Sequence, residues 1–274
     1  MRRSILTLVC LCSLFIGANA QDLVILHTND THSQILPQTV GENAGLGGYE
    51  RREEYIKSIR AEHKNVILLD AGDFSQGTPY FTIFGGKVEM ELMNALGYDA
   101  ACIGNHELDN GEKELAERVD MAKFPILCAN YNLSNSPLNN RVKPYTIINK
   151  GNIKVGVIGI TLDLNGLVMA KNIGGMEFIH PYNVINTLAK ELKEDKGCNI
   201  VIVLSHVGYN NGSESNPSDD MLAANSQNVD IIIGGHSHTF IDKPLIVKNK
   251  DGKDIIVVQA DERGNLVGRF DVNL

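Results

Sequence analysis

The chain has 274 residues, with 33 Asp and Glu against 25 Lys and Arg, and a formal net charge of −8 at pH 7 with histidine neutral. That balance argues against general binding to nucleic-acid duplexes, but a phosphate substrate remains possible wherever a bound cation reverses the local sign. The length suits one large domain with a full core.

In chain order, residues 1–20 begin Met1-Arg2-Arg3, continue with an apolar stretch from Ile5 to Ile16, and end Ala18-Asn19-Ala20. A basic start, a short apolar core and an A-x-A end are the layout of a cleaved secretory signal. The alternative is an N-terminal anchor, for which the stretch is too short to span a bilayer comfortably. The expectation is a signal peptide over 1–20, a single domain over 21–274, and a periplasmic or extracellular location. No second apolar stretch is long enough for a membrane helix.

Apolar runs recur at 23–30, 65–73, 99–107, 124–130, 153–161, 199–206, 229–238 and 254–261. Most are continuous rather than alternating, the mark of strands covered on both faces. Helical periodicity lies between several of them. Ile56 and Ile59 share a side of 49–61. Val88, Leu92, Ala95 and Leu96 share a face of 88–96. Val184, Ile185, Leu188, Ala189 and Leu192 recur through 182–194, which Pro181 opens without losing a needed N–H. Strands alternating with helices predict an α/β fold. Cys102, Cys128 and Cys198 follow the signal. An odd count excludes a complete disulfide framework, and all three read as small core hydrophobes. Asn29, Asn132 and Asn211 begin N-x-S/T triplets and read as loop chemistry.

One event repeats at five strand ends. The run 23–30 ends in Asp30, with His32 two positions on. The next ends in Asp73, the third in Asn105 and His106, the sixth in His206, and the seventh in His236 and His238. In a mostly parallel sheet the carboxyl ends share one edge, where ligands bind. Asp30, His32, Asp73, Asn105, His206, His236 and His238 can therefore converge. Singly, each has a plainer reading: a structural histidine, an Asx-turn or a turn asparagine. Together they form an oxygen and nitrogen donor set without thiolate, suited to Mn, Zn, Fe or Co. Seven donors exceed what one open ion needs and suit two divalent ions sharing a carboxylate. Asp73, preceded by Gly72, is the expected bridge.

The stretches ILHTNDTHS, LLDAGDFSQGTPY, ACIGNHELDNG, VLSHVG and GGHSH, in this order, resemble the motifs of the calcineurin-like metallophosphatases. More narrowly, with MNALGYDA and VVQADERGNLVGRFDVNL, they resemble the catalytic domain of the secreted 5′-nucleotidase and UDP-sugar hydrolase family. The resemblance covers nearly all of 21–274. It implies a four-layer αββα sandwich. It implies one metal at Asp30, His32, Asp73 and His238, and the other at Asp73, Asn105, His206 and His236. It also implies phosphoric ester hydrolysis, with a hydroxide between the ions as nucleophile and a small phosphorylated substrate, a nucleotide above all. In the family the His after the ligand Asn pairs with the Asp three residues on, so the resemblance makes His106 and Asp109 the catalytic pair. The alternative for Asp109 is a cap on the helix starting near Gly111. Family members carry a C-terminal nucleotide-binding domain with an aromatic clamp. No such segment is expected before Leu274, which leaves three readings: a phosphomonoesterase acting alone, the catalytic half of a split nucleotidase whose C-terminal domain is a separate partner chain, and a metal-binding or interaction module without turnover. Glu107 and His27 receive no role.

Overall fold

The computed structural model describes residues 22–273. The expected signal at 1–20 lies outside the described residues. Among these, no helix is long and apolar enough to cross a membrane.

The chain begins with β1 (Asp22–Thr28), α1 (Tyr49–Glu62), β2 (Val66–Asp70), α2 (Pro79–Phe84), α3 (Lys87–Leu96) and β3 (Ala100–Cys102). A 3₁₀ turn (His106–Leu108) leads into α4 (Glu112–Met121), β4 (Ile126–Leu127), β5 (Tyr131–Asn132), β6 (Tyr145–Lys150), β7 (Ile153–Thr161) and β8 (Glu177–Phe178). Then come α5 (Pro181–Lys190), β9 (Ile200–His206), α6 (Asp219–Asn225), β10 (Ile231–Gly234), β11 (Leu245–Lys248), β12 (Asp254–Val258) and β13 (Gly268–Asn273).

These strands make two main sheets. The first has the order β13-β1-β2-β3-β4, and the second β11-β12-β10-β9-β7-β6. Within each, the central strands are parallel, while β13, β6 and β11 pair antiparallel. β5 and β8 form a separate small ribbon.

Strand parity explains the continuous apolar runs. Leu23, Ile25, Ile67 and Leu69 of the first sheet cluster with Val155, Val157, Ile202 and Leu204 of the second, filling the space between the sheets. The alternate residues turn the other way. Val24, Leu26 and Leu68 lie in the cluster that holds Ile56, Met90 and Leu115 of α1, α3 and α4. Ile158, Val203 and Ile232 lie with Ile185 of α5 and Leu222 of α6. The result is a four-layer αββα arrangement, as expected, with every central strand buried on both faces. Burial of this many aliphatic side chains, each contributing about 1.5–3 kcal/mol, drives the assembly.

The sheets are tied together at their carboxyl ends. Thr161 Oγ1 at the end of β7 donates to Ile103 O beyond β3 at 2.7 Å. Asn130 joins in, its Nδ2 donating to Thr161 O and its Oδ1 accepting from Thr161 N. Gly159 makes the close approach possible, because a Cβ there would lie 2.5 Å from Leu127 Cβ and 2.6 Å from the Leu127 carbonyl oxygen.

Several elements escaped the sequence reading. β6, β11 and β13 are antiparallel edge strands, half-exposed and mixed with polar residues. α2 and α6 have six and seven residues, too few for a periodicity to register. The predicted helix over 182–194 ends differently, as α5 passes into a π-turn at Glu191–Asp195. The three cysteines are free and buried.

Asp70, at the end of β2, is wholly buried. It accepts from Thr28 Oγ1 at 2.6 Å and from Gly72 N at 2.9 Å. Burial pushes its carboxyl up to about 8, with those two donors opposing the rise.

Two outcomes follow from this frame. Gly159→Ala should lower stability by about 1–3 kcal/mol through the sheet-to-sheet clash, read as a reduced urea midpoint. In the metal-free protein, native Asp70 keeps a proton that the unfolded chain releases above pH 4. Its contribution is therefore full below the unfolded pKa and lost as pH rises toward 8. Asp70→Asn should lose less stability than the parent between pH 5 and pH 8, and equal slopes in paired urea titrations would contradict the assignment.

Candidate metal centre

The parallel strands of both sheets point their carboxyl ends at one place. β1, β2 and β3 bring Asp30 and His32, Asp73, and Asn105 and His106. β9 and β10 bring His206, and His236 and His238. All seven proposed donors meet there. The His32 and His238 Nε2 atoms are 3.0 Å apart, and Asp30 Oδ1 is 3.4 Å from His238 Nε2. On the other side, Asp73 Oδ2 lies 3.0 Å from His206 Nε2, and Asn105 Oδ1 lies 3.0 Å from His236 Nδ1. Asp30, His32 and His238 offer atoms within 4.8 Å of one another, as do Asp73, His206 and His236; Asp73 also joins His32 and His106.

The donor set fits divalent cations on its own geometry. The 3.0 Å between the His32 and His238 Nε2 atoms is also the spacing of neighbouring donors around an ion with bonds of about 2.0–2.2 Å. His206 Nε2 is wholly buried and does not satisfy hydrogen-bond geometry despite its nearness to Asp73. Its other nitrogen is fixed, with Nδ1 2.7 Å from Ala71 O. That contact holds the ring with Nε2 toward the centre.

The backbone here is strained. Asp30, His32, Asp73, His236 and His238 have φ of 47°, 44°, 54°, 71° and 52°. Such left-handed conformations cost about 1–3 kcal/mol each in non-glycine residues and persist where the surroundings over-determine them. Two glycines let the loops crowd. A Cβ on Gly72 would lie 2.8 Å from both Gly104 N and His206 Nδ1, and one on Gly104 would lie 2.2 Å from Asp73 Oδ1.

The metal-free site is electrostatically tight. For Asp73, burial alone would raise the pKa, but His206, then His106 and His32, hold it well below the carboxylate range. His206 is the mirror case: burial would lower it, but Asp73 and Asp30 push it up to about 10. Burial, then His206, lowers His236 to about 4.

His106 Nδ1 is 2.8 Å from Asp109 Oδ2. That hydrogen bond raises the imidazole pKa against partial burial. Asp109 does not cap α4, whose N-cap is Gly111 with no side-chain bond. The pair is about one-third exposed, with side-chain accessibilities of 31% and 33%, so it stands at the mouth while His206 and Asp30 form the floor.

Three residues here carried no functional expectation. Glu107 is buried and accepts from Asp73 N, Ser75 N and Gly104 N at 2.8, 3.0 and 2.7 Å. Asn29 donates from Nδ2 to Asp30 Oδ2 and to Asp261 O, and accepts from Ala260 N. Glu262 Oε2 is 3.1 Å from His238 Nδ1, a carboxylate behind a histidine as metal sites commonly have. Adjacency to donor residues was the only sequence signal for Asn29 and Glu107. Glu262 had none, being far off in sequence. His27 is outside the centre, buried beside Phe270, with its imidazole lowered to about 4 by burial.

A family model for calcineurin-like phosphoesterases matches residues 23–240. A snake venom 5′-nucleotidase from Gloydius brevicauda is 36% identical over 95% of this chain and 46% of its own length. The crystal structure of a 5′-nucleotidase precursor from Thermus thermophilus superposes with a TM-score of 0.82 at 35% identity, over 92% of this chain and 51% of that one. For the NAD nucleotidase of Haemophilus influenzae the TM-score is 0.81 at 29% identity, over 93% and 48%. The chain spans about half the length of the curated relatives it matches. With a match running from β1 through the last of the clustered histidines, the chain belongs to the calcineurin-like phosphoesterase family.

Proposed function

We propose that this protein is a phosphomonoesterase of the 5′-nucleotidase type that works with two divalent cations. One would be held by Asp30, His32, Asp73 and His238, and the other by Asp73, Asn105, His206 and His236. The observation that supports this most is the Asp73 carboxylate within reach of both donor groups, with the His106–Asp109 pair alongside. Mn, Zn, Fe and Co all suit such donors. Bound, the cations supply Lewis-acid charge for the phosphoryl oxygens and an activated water.

The chain's own residues do the rest. Asp109 occupies His106 Nδ1, leaving Nε2 for the substrate. As an imidazolium, His106 stabilises charge developing on the phosphoryl group and delivers a proton to the departing alkoxide. Asp109 fixes the ring and favours its charged form. No serine, threonine or cysteine nucleophile is required, and the described cysteines are all buried.

A nucleotide is the proposed substrate, on similarity to nucleotidases that this chain matches over half their length. Export to a periplasm or the cell exterior rests on the signal-like residues 1–20.

The test is hydrolysis of p-nitrophenyl phosphate, AMP, UDP-glucose and cyclic nucleotides by the chain loaded with Mn²⁺. His106→Ala should lower kcat by about 10²–10⁴ while elemental analysis still finds two ions per chain. Absence of turnover with Mn, Zn, Fe and Co alike, or a His106→Ala variant as active as the parent, would sink the reading.

A further inference from the structure

We infer that Glu107 is the positioning residue that sets the separation of the two metal sites, an inference resting on the two-cation reading above. Its carboxylate is fully buried and engages three backbone N–H groups from two different loops. Asp73 N and Ser75 N belong to the loop after β2, which carries the carboxylate assigned to both ions. Gly104 N belongs to the loop after β3, which carries Asn105, assigned to one ion only. One rigid anion therefore fixes the shared ligand against a ligand of the second site.

The main chain of Glu107 is itself held from behind. Arg118 of α4 donates from Nη2 to Glu107 O and from Nη1 to Gly85 O at 3.0 Å. Arg118 is 1% exposed, so this brace is as buried as what it holds. On the near side the loops already touch, with His106 N donating to Asp73 Oδ1 at 2.8 Å.

The chemistry at this position is specific. A carboxylate presents only acceptors, and both of its oxygens are engaged. A glutamine has one acceptor oxygen, and its NH₂ would face backbone N–H groups. A buried carboxylate beside Asp73 is also a poor choice for stability alone, since a neutral side chain would avoid the cost of burying a second anion. What it supplies is register between two loops. The three hydrogen bonds that the Glu107 carboxylate accepts all come from main-chain N–H groups, so it acts on the proposed ligands by placing their backbones.

The experiment loads the parent, Glu107→Gln, Glu107→Asp and Glu112→Gln with Mn²⁺. It reads chelator-competition affinities for each ion and the EPR spectrum of the pair. Glu112 is a buried carboxylate in α4 that accepts from Gly175 N at 2.8 Å, and it serves as control. In the parent, an exchange-coupled pair is expected. Glu107→Gln should bind the second ion about 10–100-fold more weakly and show an altered coupling or a mononuclear signal. Glu107→Asp, which keeps the charge, should recover part of both. Glu112→Gln should match the parent in affinity and spectrum whatever its thermal midpoint. If the parent shows the coupled pair and folded Glu107→Gln shows the same pair at the same affinity, the inference falls and the two-cation reading stands. A parent that binds no pair removes both. Failure of both Glu107 variants to fold beside a folded Glu112→Gln would also overturn the inference, making Glu107 a requirement of the fold.

Discussion

The contact on which the rest depends is the one Asp73 makes with both sheets at once. Its Oδ1 accepts from the His106 amide after β3, and its Oδ2 lies 3.0 Å from His206 at the end of β9. A carboxylate can span the two sheets only if their backbones come unusually close. That closeness depends on glycines, with no Cβ at Gly72 or Gly104 and none at Gly159 on the strand behind. The hydrophobic layer between the sheets supplies the force, and the missing side chains supply the distance. The electrostatic result is a carboxylate that stays ionised in a dry environment because imidazoles surround it.

Strain and polar bracing are two sides of the same arrangement. Five donor-bearing residues adopt left-handed backbone conformations, which together cost several kcal/mol, at about 1–3 each. Nothing local to those loops offsets this. The compensation comes from polar groups one layer back: the buried Asn29 between Asp30 and the 260–261 backbone, the buried Glu107 between the β2 and β3 loops, and the partly exposed Glu262 behind His238. Asn29 and Glu107 bond to backbone groups of these loops, as a regular turn would have done for itself. The region is thus rigid without being regular.

The difference between what was legible and what was not follows from this. Donor residues at strand ends stood out because amide, imidazole and carboxylate side chains interrupt continuous apolar runs, and their types alone suggest a cation. The central strands were visible because burial on both faces removes polar alternation. The number of sheets was not visible: a strand buried between a sheet and a helix reads the same as one buried between two helix layers. Antiparallel strands such as Gly268–Asn273, whose residues alternate between half-buried and exposed, dissolve into their polar surroundings. Glu107 was equally opaque, since three backbone N–H partners leave no pattern in a sequence. The pairing of His106 with Asp109 sits between these cases. The three-residue spacing admitted both a dyad and a helix cap, and the 2.8 Å contact of Asp109 with His106, together with Gly111 as the N-cap of α4, separates them.

The position of the exposed groups bears on how chemistry and selectivity divide. His206, Asp30 and Asp73 are sealed, whereas His106, Asp109 and His238 open to solvent. The segments that follow strand ends carry exposed apolar side chains, among them Leu36, Val40 and Phe240 in loops and Ile83 and Phe84 in α2. The proposed cation centre is therefore built from buried strand termini that tolerate little change, while the rim around it comes from segments with exposed side chains, whose packing contributes little to the core. A substitution on the rim can alter which phosphate ester is accepted without disturbing the donors. A substitution one layer beneath the donors changes no substrate contact, and its effects on every substrate should then be parallel.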